Sequence, residues 1–207
     1  MPNAESHTRD RICELGSSLF TRGLTSGSSG NISVRIGDGW LMTPTGVPLG
    51  RLDPSRLTRL DGSGKFVGGD PPTKECSLHL AMYAARPREQ AIVHLHSTYS
   101  TAVSCLDDVD SADVLPPLTA YYVMRVGRLP LVPYFPPGDM GLAEAAGRLA
   151  HDSPALLLAN HGPIVAAPSL DAAADAIEVL EQTARLFLLL REQKYRALTD
   201  EQVRRLS

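Results

Sequence analysis

Two histidines stand two positions apart at the end of an apolar run, Ala91-Ile-Val-His-Leu-His96. Side chains at i and i+2 of a strand leave the same face of a sheet, so His94 and His96 can converge on one cation at about 2.0–2.1 Å each. Alone, such a pair suits strand-end residues bonded to backbone at least as well. His161 changes the balance: it closes a second apolar run, Ala155-Leu-Leu-Leu-Ala159, and precedes Gly162, which puts a third imidazole at a strand end. Glu75 is placed at the start of a helix, where the positive end of the helix dipole favours a carboxylate. By itself it need do no more than complement that dipole. Together, three imidazoles make a zinc site with a position left open for substrate, and a nearby carboxylate can serve as ligand or as acid/base. His7, His79 and His151 lack such spacing and are read as structural or exposed.

Three stretches have the chemistry of anion-binding loops. Gly27-Ser-Ser-Gly30-Asn31 combines hydroxyls with glycines that let backbone N–H groups approach a ligand. Thr43-Pro-Thr45-Gly46 is a second tight turn with hydroxyls, and Thr73-Lys74 opens a helix beside Glu75. Lys74 is a point charge suited to a phosphate or carboxylate. Each stretch alone is also an ordinary turn.

Several elements must position these groups. Ile12, Leu15 and Leu19 recur at helical spacing before Gly23, predicting a first helix over 4–23. Alternation predicts strands over 32–36 and 40–43, joined by an Asp38-Gly39 turn, and a short hairpin around 61–64. Thr73 is a cap for a helix through Glu75, Leu78, Met82 and Tyr83 that stops before Pro87. Residues 91–96 read as a buried strand and Ser97 as the start of the next helix. The longest helix spans about 171–191, and Thr199 with Gln202 has capping-box spacing for a last short one. Residues 121–139 are rich in Tyr, Pro and Val with little periodicity, a stretch better covered by a partner subunit than by solvent. The expected fold is a single α/β domain over 1–207, a three-layer α/β/α sandwich around a largely antiparallel central sheet.

Composition sets limits on partners. The chain has 207 residues, 43% hydrophobic and 21% charged, enough for a sizeable core. A net charge of -3 gives no reason to expect nucleic acid or an anionic membrane, so an anionic substrate must be held by local groups. No apolar run is long enough to span a bilayer, and the N-terminus lacks the apolar core of a secretory signal. Cys13, Cys76 and Cys105 are too few and scattered for a disulfide framework, which points to the cytoplasm.

In order along the chain, Gly30-Asn-Ile-Ser-Val34, Thr43-Pro-Thr-Gly46, Pro72-Thr-Lys-Glu75, His94-Leu-His96 and Asn160-His-Gly162 resemble the class II aldolase/adducin family over roughly 12–191. The resemblance implies an α/β/α sandwich around an antiparallel sheet, assembled as a homotetramer with sites between neighbouring subunits. It implies Zn2+ held by His94, His96 and His161, with Glu75 as acid/base and metal ligand. Gly30, Asn31, Thr45, Gly46, Thr73 and Lys74 fall on phosphate-binding positions. Tyr121, or its neighbour Tyr122, is matched to a tyrosine that completes the adjoining subunit's site.

Within the family, Leu95-His-Ser-Thr98, Tyr121-Tyr-Val-Met-Arg125, Pro130-Leu-Val-Pro-Tyr134 and Pro137-Gly-Asp139 are similar to a branch that decarboxylates phosphorylated four-carbon 3-oxo sugar acids to dihydroxyacetone phosphate. Lys74 fits that branch, whereas fuculose-phosphate aldolases carry serine there. A sugar-phosphate aldolase is the alternative, and a metal-free adducin-like scaffold, which needs no ligand set, is a third.

Overall fold

The computed structural model describes residues 4–206. The first helix, α1, covers Ala4–Thr21 and buries Ile12, Gly16 and Leu19, the expected face. Strands β1 (Asn31–Ile36) and β2 (Gly39–Met42) form a hairpin in which Ile36 faces Gly39. The turn is therefore Gly37-Asp38, one residue earlier than predicted. Gly37 adopts φ 55°, a conformation that L side chains rarely adopt, so the glycine belongs at the bend. Gly39 instead belongs to β2, where a side chain would collide with the Leu60 carbonyl. Strands β3 (Thr58–Leu60) and β4 (Phe66–Gly68) make the second hairpin around 61–64.

Next come α2 (Cys76–Ala85), β5 (Ala91–His94), α3 (Thr98–Ser104) and α4 (Ala120–Arg125). Then follow β6 (Leu131–Val132), α5 (Met140–Ala150), β7 (Ala155–Leu158), β8 (Gly162–Ala167), α6 (Leu170–Leu190) and α7 (Asp200–Arg204). The strands form one sheet in the order β4-β3-β2-β1-β5-β8-β7-β6, antiparallel throughout except between β6 and β7.

Three layers result because the central strands are apolar on both faces. In β5, Ala91 and Val93 enter one core with α1, α3, α4 and α6 while Ile92 enters a second with α2 and α5; Val165 against Ile164 in β8 and Leu157 against Leu156 in β7 divide the same way. A strand covered on both sides reads as a continuous apolar run rather than an alternation.

Three expectations need correction. The stretch 121–139, read as aperiodic, contains most of α4, capped by Thr119, and the edge strand β6. Helix α2 begins at Cys76 with Glu75 as its N-cap residue; Thr73 does not cap it but accepts from the Glu75 N–H at 3.3 Å. His96 lies beyond the end of β5. The last helices meet the expectation, and α7 carries the full Thr199–Gln202 capping box.

Where β5 and the β7–β8 turn meet, Gly162 leaves no room for a side chain: a Cβ there would lie 2.3 Å from the Leu95 carbonyl oxygen and 3.2 Å from the His96 Cα. Gly162→Ala is expected to lower stability by about 1–3 kcal/mol through overpacking against backbone. An unchanged urea midpoint would contradict this packing.

Candidate metal centre and anion cleft

Each histidine is delivered by a different backbone device. His94 ends β5 and is fully buried, and its Nδ1 donates to the Pro163 carbonyl at 2.8 Å. That bond fixes the tautomer, so Nε2 presents a bare lone pair. His161 sits in the β7–β8 turn behind Asn160, which takes φ 54°, a left-handed conformation that asparagine tolerates. The turn is tied to α3 by Thr101 Oγ1 donating to the His161 carbonyl at 3.0 Å and Ser104 Oγ accepting from its N–H at 3.3 Å. His96 precedes α3, whose first N–H groups are not satisfied by the Ser97 side chain. Glu181, reaching across from α6, accepts instead from the N–H groups of Tyr99 and Ser100 at 2.9 and 2.8 Å. A carboxylate from a distant helix thus anchors the segment that carries His96; nothing in the pattern around Ser97 signals it.

The four side chains meet. His96 Nε2 lies 3.1 Å from His94 Nε2 and 3.0 Å from His161 Nε2. The Glu75 carboxylate is 3.3 Å from His94 and 3.1 Å from His161. Ligands about 2.0–2.1 Å from a tetrahedral ion are roughly 3.3 Å apart, so these spacings match a tetrahedral cation site. The donor chemistry agrees: the bare His94 Nε2 confronts a carboxylate oxygen, an arrangement of two acceptors that a cation between them relieves. Glu75 Oε1 is buried and accepts no well-aligned hydrogen bond, despite the nearby His161 nitrogen. The residues therefore fit a divalent ion.

Burial would by itself raise the Glu75 carboxyl. The adjacent His94 and His161, with a hydrogen bond from Asn31, outweigh it and hold the group well below the usual carboxylate range. Burial pushes His94 down, against the pull of Glu75, and lowers His96 to about 3 with help from its histidine neighbours. Burial thus favours the neutral, ligating form of both rings.

In front of the cluster opens a cleft of about 230 Å³. Gly30, Asn31, Thr45, Gly46, Thr73 and Lys74 all line it, together with Glu75, His96 and His161; the fully buried His94 stands behind. Ser28, Ser29, Pro44 and Pro137 complete the wall. Pro137 comes from far along the chain, where Gly138 (φ 86°) packs against the Lys74 backbone. Lys74 is the cation among the lining residues. Thr73 Oγ1 accepts from Asn31 and from the Glu75 N–H, which leaves its own hydrogen to donate. The Asn31 amide differs from the phosphate role expected of it: Nδ2 donates to Glu75 Oε2 at 2.7 Å and Oδ1 is bonded to His79 at 2.5 Å, so its polar atoms are committed within the protein.

Tyr121 is not brought to this cleft. It is 67% exposed on α4, whereas Tyr122 is buried in the core at 1% and cannot reach a neighbouring subunit. His79, read as structural or exposed, is fully buried between Ser33 and Asn31, while His7 and His151 are exposed.

Residues 10–188 match the class II aldolase and adducin N-terminal domain. The chain belongs to the class II aldolase and adducin family. Among family members it is 48% identical over 206 residues, 99% of this chain and 94% of the relative, to 3-oxo-tetronate 4-phosphate decarboxylase of Pectobacterium atrosepticum. The crystal structure of Escherichia coli YgbL superposes with a TM-score of 0.96 at 46% identity, covering 99% of both chains. A more distant family member, L-fuculose phosphate aldolase of Escherichia coli strain K12, is 36% identical over 80% of this chain and 75% of its own length. Membership agrees with the α/β fold, and the metal dependence of the family agrees with a His/Glu set that could hold an ion.

Replacing His94 removes one of the four clustered donors, the one held behind the cleft. His94→Ala is expected to reduce bound divalent metal from about one ion per chain to a small fraction of that, with the far-ultraviolet circular dichroism unchanged. Full metal content in the purified variant, by elemental mass spectrometry, would contradict the assignment.

Proposed function

We propose that this protein is a zinc-dependent lyase that decarboxylates 3-oxo-tetronate 4-phosphate to dihydroxyacetone phosphate and carbon dioxide, in the cytoplasm, as part of sugar-acid catabolism. The observation that carries the reading is the union, in one cleft, of a four-ligand cation site with a cradle of small residues bearing Lys74. The near full-length identity to the Pectobacterium decarboxylase supports the choice of substrate. Three free cysteines suit a reducing compartment.

In this reading His94, His96, His161 and Glu75 hold the ion. Zinc bound there supplies Lewis acidity toward the substrate's ketone oxygen. Lys74, the Thr73 hydroxyl and the glycine-rich turns at Gly30 and Thr45-Gly46 bind the phosphate and so fix the carbon chain across the cleft. Breaking the C1–C2 bond releases carbon dioxide and sends its electron pair onto the C3 oxygen as an enediolate. Glu75, ionised in the free protein, takes up a proton from solvent and passes it to C2, and dihydroxyacetone phosphate results. Asn31 orients the Glu75 carboxylate rather than the phosphate.

The deciding experiment is to supply purified protein with D- and L-3-oxo-tetronate 4-phosphates and follow dihydroxyacetone phosphate. Its appearance with one equivalent of carbon dioxide supports the reading. Turnover of fuculose 1-phosphate alone, with an aldehyde released, would replace it by the aldolase.

The exposed apolar residues Tyr121 and Met124 on α4 and Tyr134 beyond β6 support a homotetramer in which Tyr121 completes a neighbour's site. A tetrameric mass in light scattering is expected at micromolar concentration; an active monomer would contradict it.

Glu75→Gln keeps the shape and removes the group that can carry a proton. It is expected to lower kcat by roughly 10²–10⁴ with little change in KM, whereas Lys74→Ala should chiefly raise KM. A Glu75→Gln effect confined to KM would make Glu75 a binding residue.

A further inference from the structure

Behind the cleft runs a chain of buried polar side chains that the proposed chemistry does not use. It starts at Tyr83, whose hydroxyl lies 3.0 Å from both the carbonyl and the hydroxyl of Ser33. Ser33 Oγ is 2.7 Å from His79 Nδ1, and His79 Nε2 is 2.5 Å from Asn31 Oδ1. Asn31 Nδ2 in turn donates to Glu75 Oε2 at 2.7 Å. Ser33, His79 and Tyr83 are at most 2% exposed and Asn31 is 4% exposed. Four residues from two elements, β1 and α2, thus run in a line from the core to the carboxylate.

A carboxamide is nearly symmetric in shape, so contact alone does not say which end faces Glu75. A flipped Asn31 would set its Oδ1 against the carboxylate, two acceptors at hydrogen-bond distance in a buried place. The partner at the other end selects the orientation. His79 has one N–H when neutral, and its ring is fully buried with only the Ser33 hydroxyl and the Asn31 amide as hydrogen-bond partners among the described residues. Tyr83 donates to the Ser33 carbonyl, which leaves Ser33 Oγ able to donate to Nδ1; the ring proton then sits on Nε2 and demands an acceptor, which is Asn31 Oδ1. The amide's N–H2 is then turned to Glu75 Oε2, and the orphaned Oε1 is the oxygen left for the cation and the substrate proton.

We propose that His79 is a positioning residue: through Asn31 it locks the Glu75 carboxylate in one orientation, with Oε2 tied to the protein and Oε1 directed to the metal centre. This rests on the reading of Glu75 as ligand and proton carrier, and it deepens that reading. The partners of a metal ligand typically change affinity or activity 10–100-fold when removed.

Two measurements test it. In the zinc-loaded, unmodified protein, nitrogen-15 long-range correlation spectra are expected to show His79 as the Nε2–H tautomer; the Nδ1–H tautomer or an imidazolium would overturn the proposal. Second, His79→Gln and His79→Met have similar volume, but only Gln can donate to Asn31. Zinc affinity, read by competition with a chromogenic chelator, is expected to fall about 10–100-fold in His79→Met and to stay within a few-fold of wild type in His79→Gln. In an Asn31→Leu background the two are expected to be equal. Equal affinities with Asn31 present would overturn the proposal, as would a Gln–Met difference that persists without Asn31. Neither readout needs substrate. Failure of the substrate assay with these results intact would remove the decarboxylase and leave His79 in place, and the converse outcome would do the reverse.

Discussion

Lone pairs that face one another dominate this molecule. Three imidazole nitrogens and a carboxylate, supplied from the ends of β5 and β8 and the start of α2, are held 3.0–3.3 Å apart. In a protein interior such a set is unfavourable unless something positive joins it. The fold is organised to keep it in place all the same. The Pro163 carbonyl fixes the His94 ring, Thr101 and Ser104 hold the His161 turn, Glu181 anchors the helix after His96, and Asn31 grips Glu75. Those supports come from β8, β1, α3 and α6, so the centre depends on the sheet and on the helices packed on one of its faces.

The same arrangement separates two tasks across one cleft. Histidines lie at its floor, and its rim carries small residues, hydroxyls and Lys74. A chain with a net charge of -3 has no general attraction for a phosphorylated acid, so binding depends on that local rim. Chemistry depends on the floor. Glu75 stands between the two: its backbone lies beside Thr73 and Lys74, and its carboxylate lies among the histidines.

Much of this was legible in the residues. The His-x-His pair, the Asn-His-Gly turn and the three small-residue loops identify the cleft's lining, because metal ligation and anion binding demand few residue types. Helices α1 and α6 show in apolar periodicity and α7 in its capping box. Other parts leave weaker traces. Helix α5 holds Gly141 and Gly147, poor helix formers, and owes its place to packing on α2, where a Cβ on Gly147 would come 3.5 Å from the Ala81 Cβ. Strand β6 is two residues long, too short for periodicity to register. The roles of Glu181 and His79 depend on partners 81 and 48 positions away. A buried histidine and a buried glutamate carry no local mark of that.

The account stands on a cation at the meeting point of these four side chains, and zinc X-ray absorption on the purified protein addresses that most directly. The prediction is a four-coordinate shell with imidazole scattering from three histidines and one oxygen, at a mean distance of about 2.0–2.1 Å. A six-coordinate, all-oxygen shell without imidazole features would contradict it, since the ion would then be lodged somewhere other than among His94, His96, His161 and Glu75.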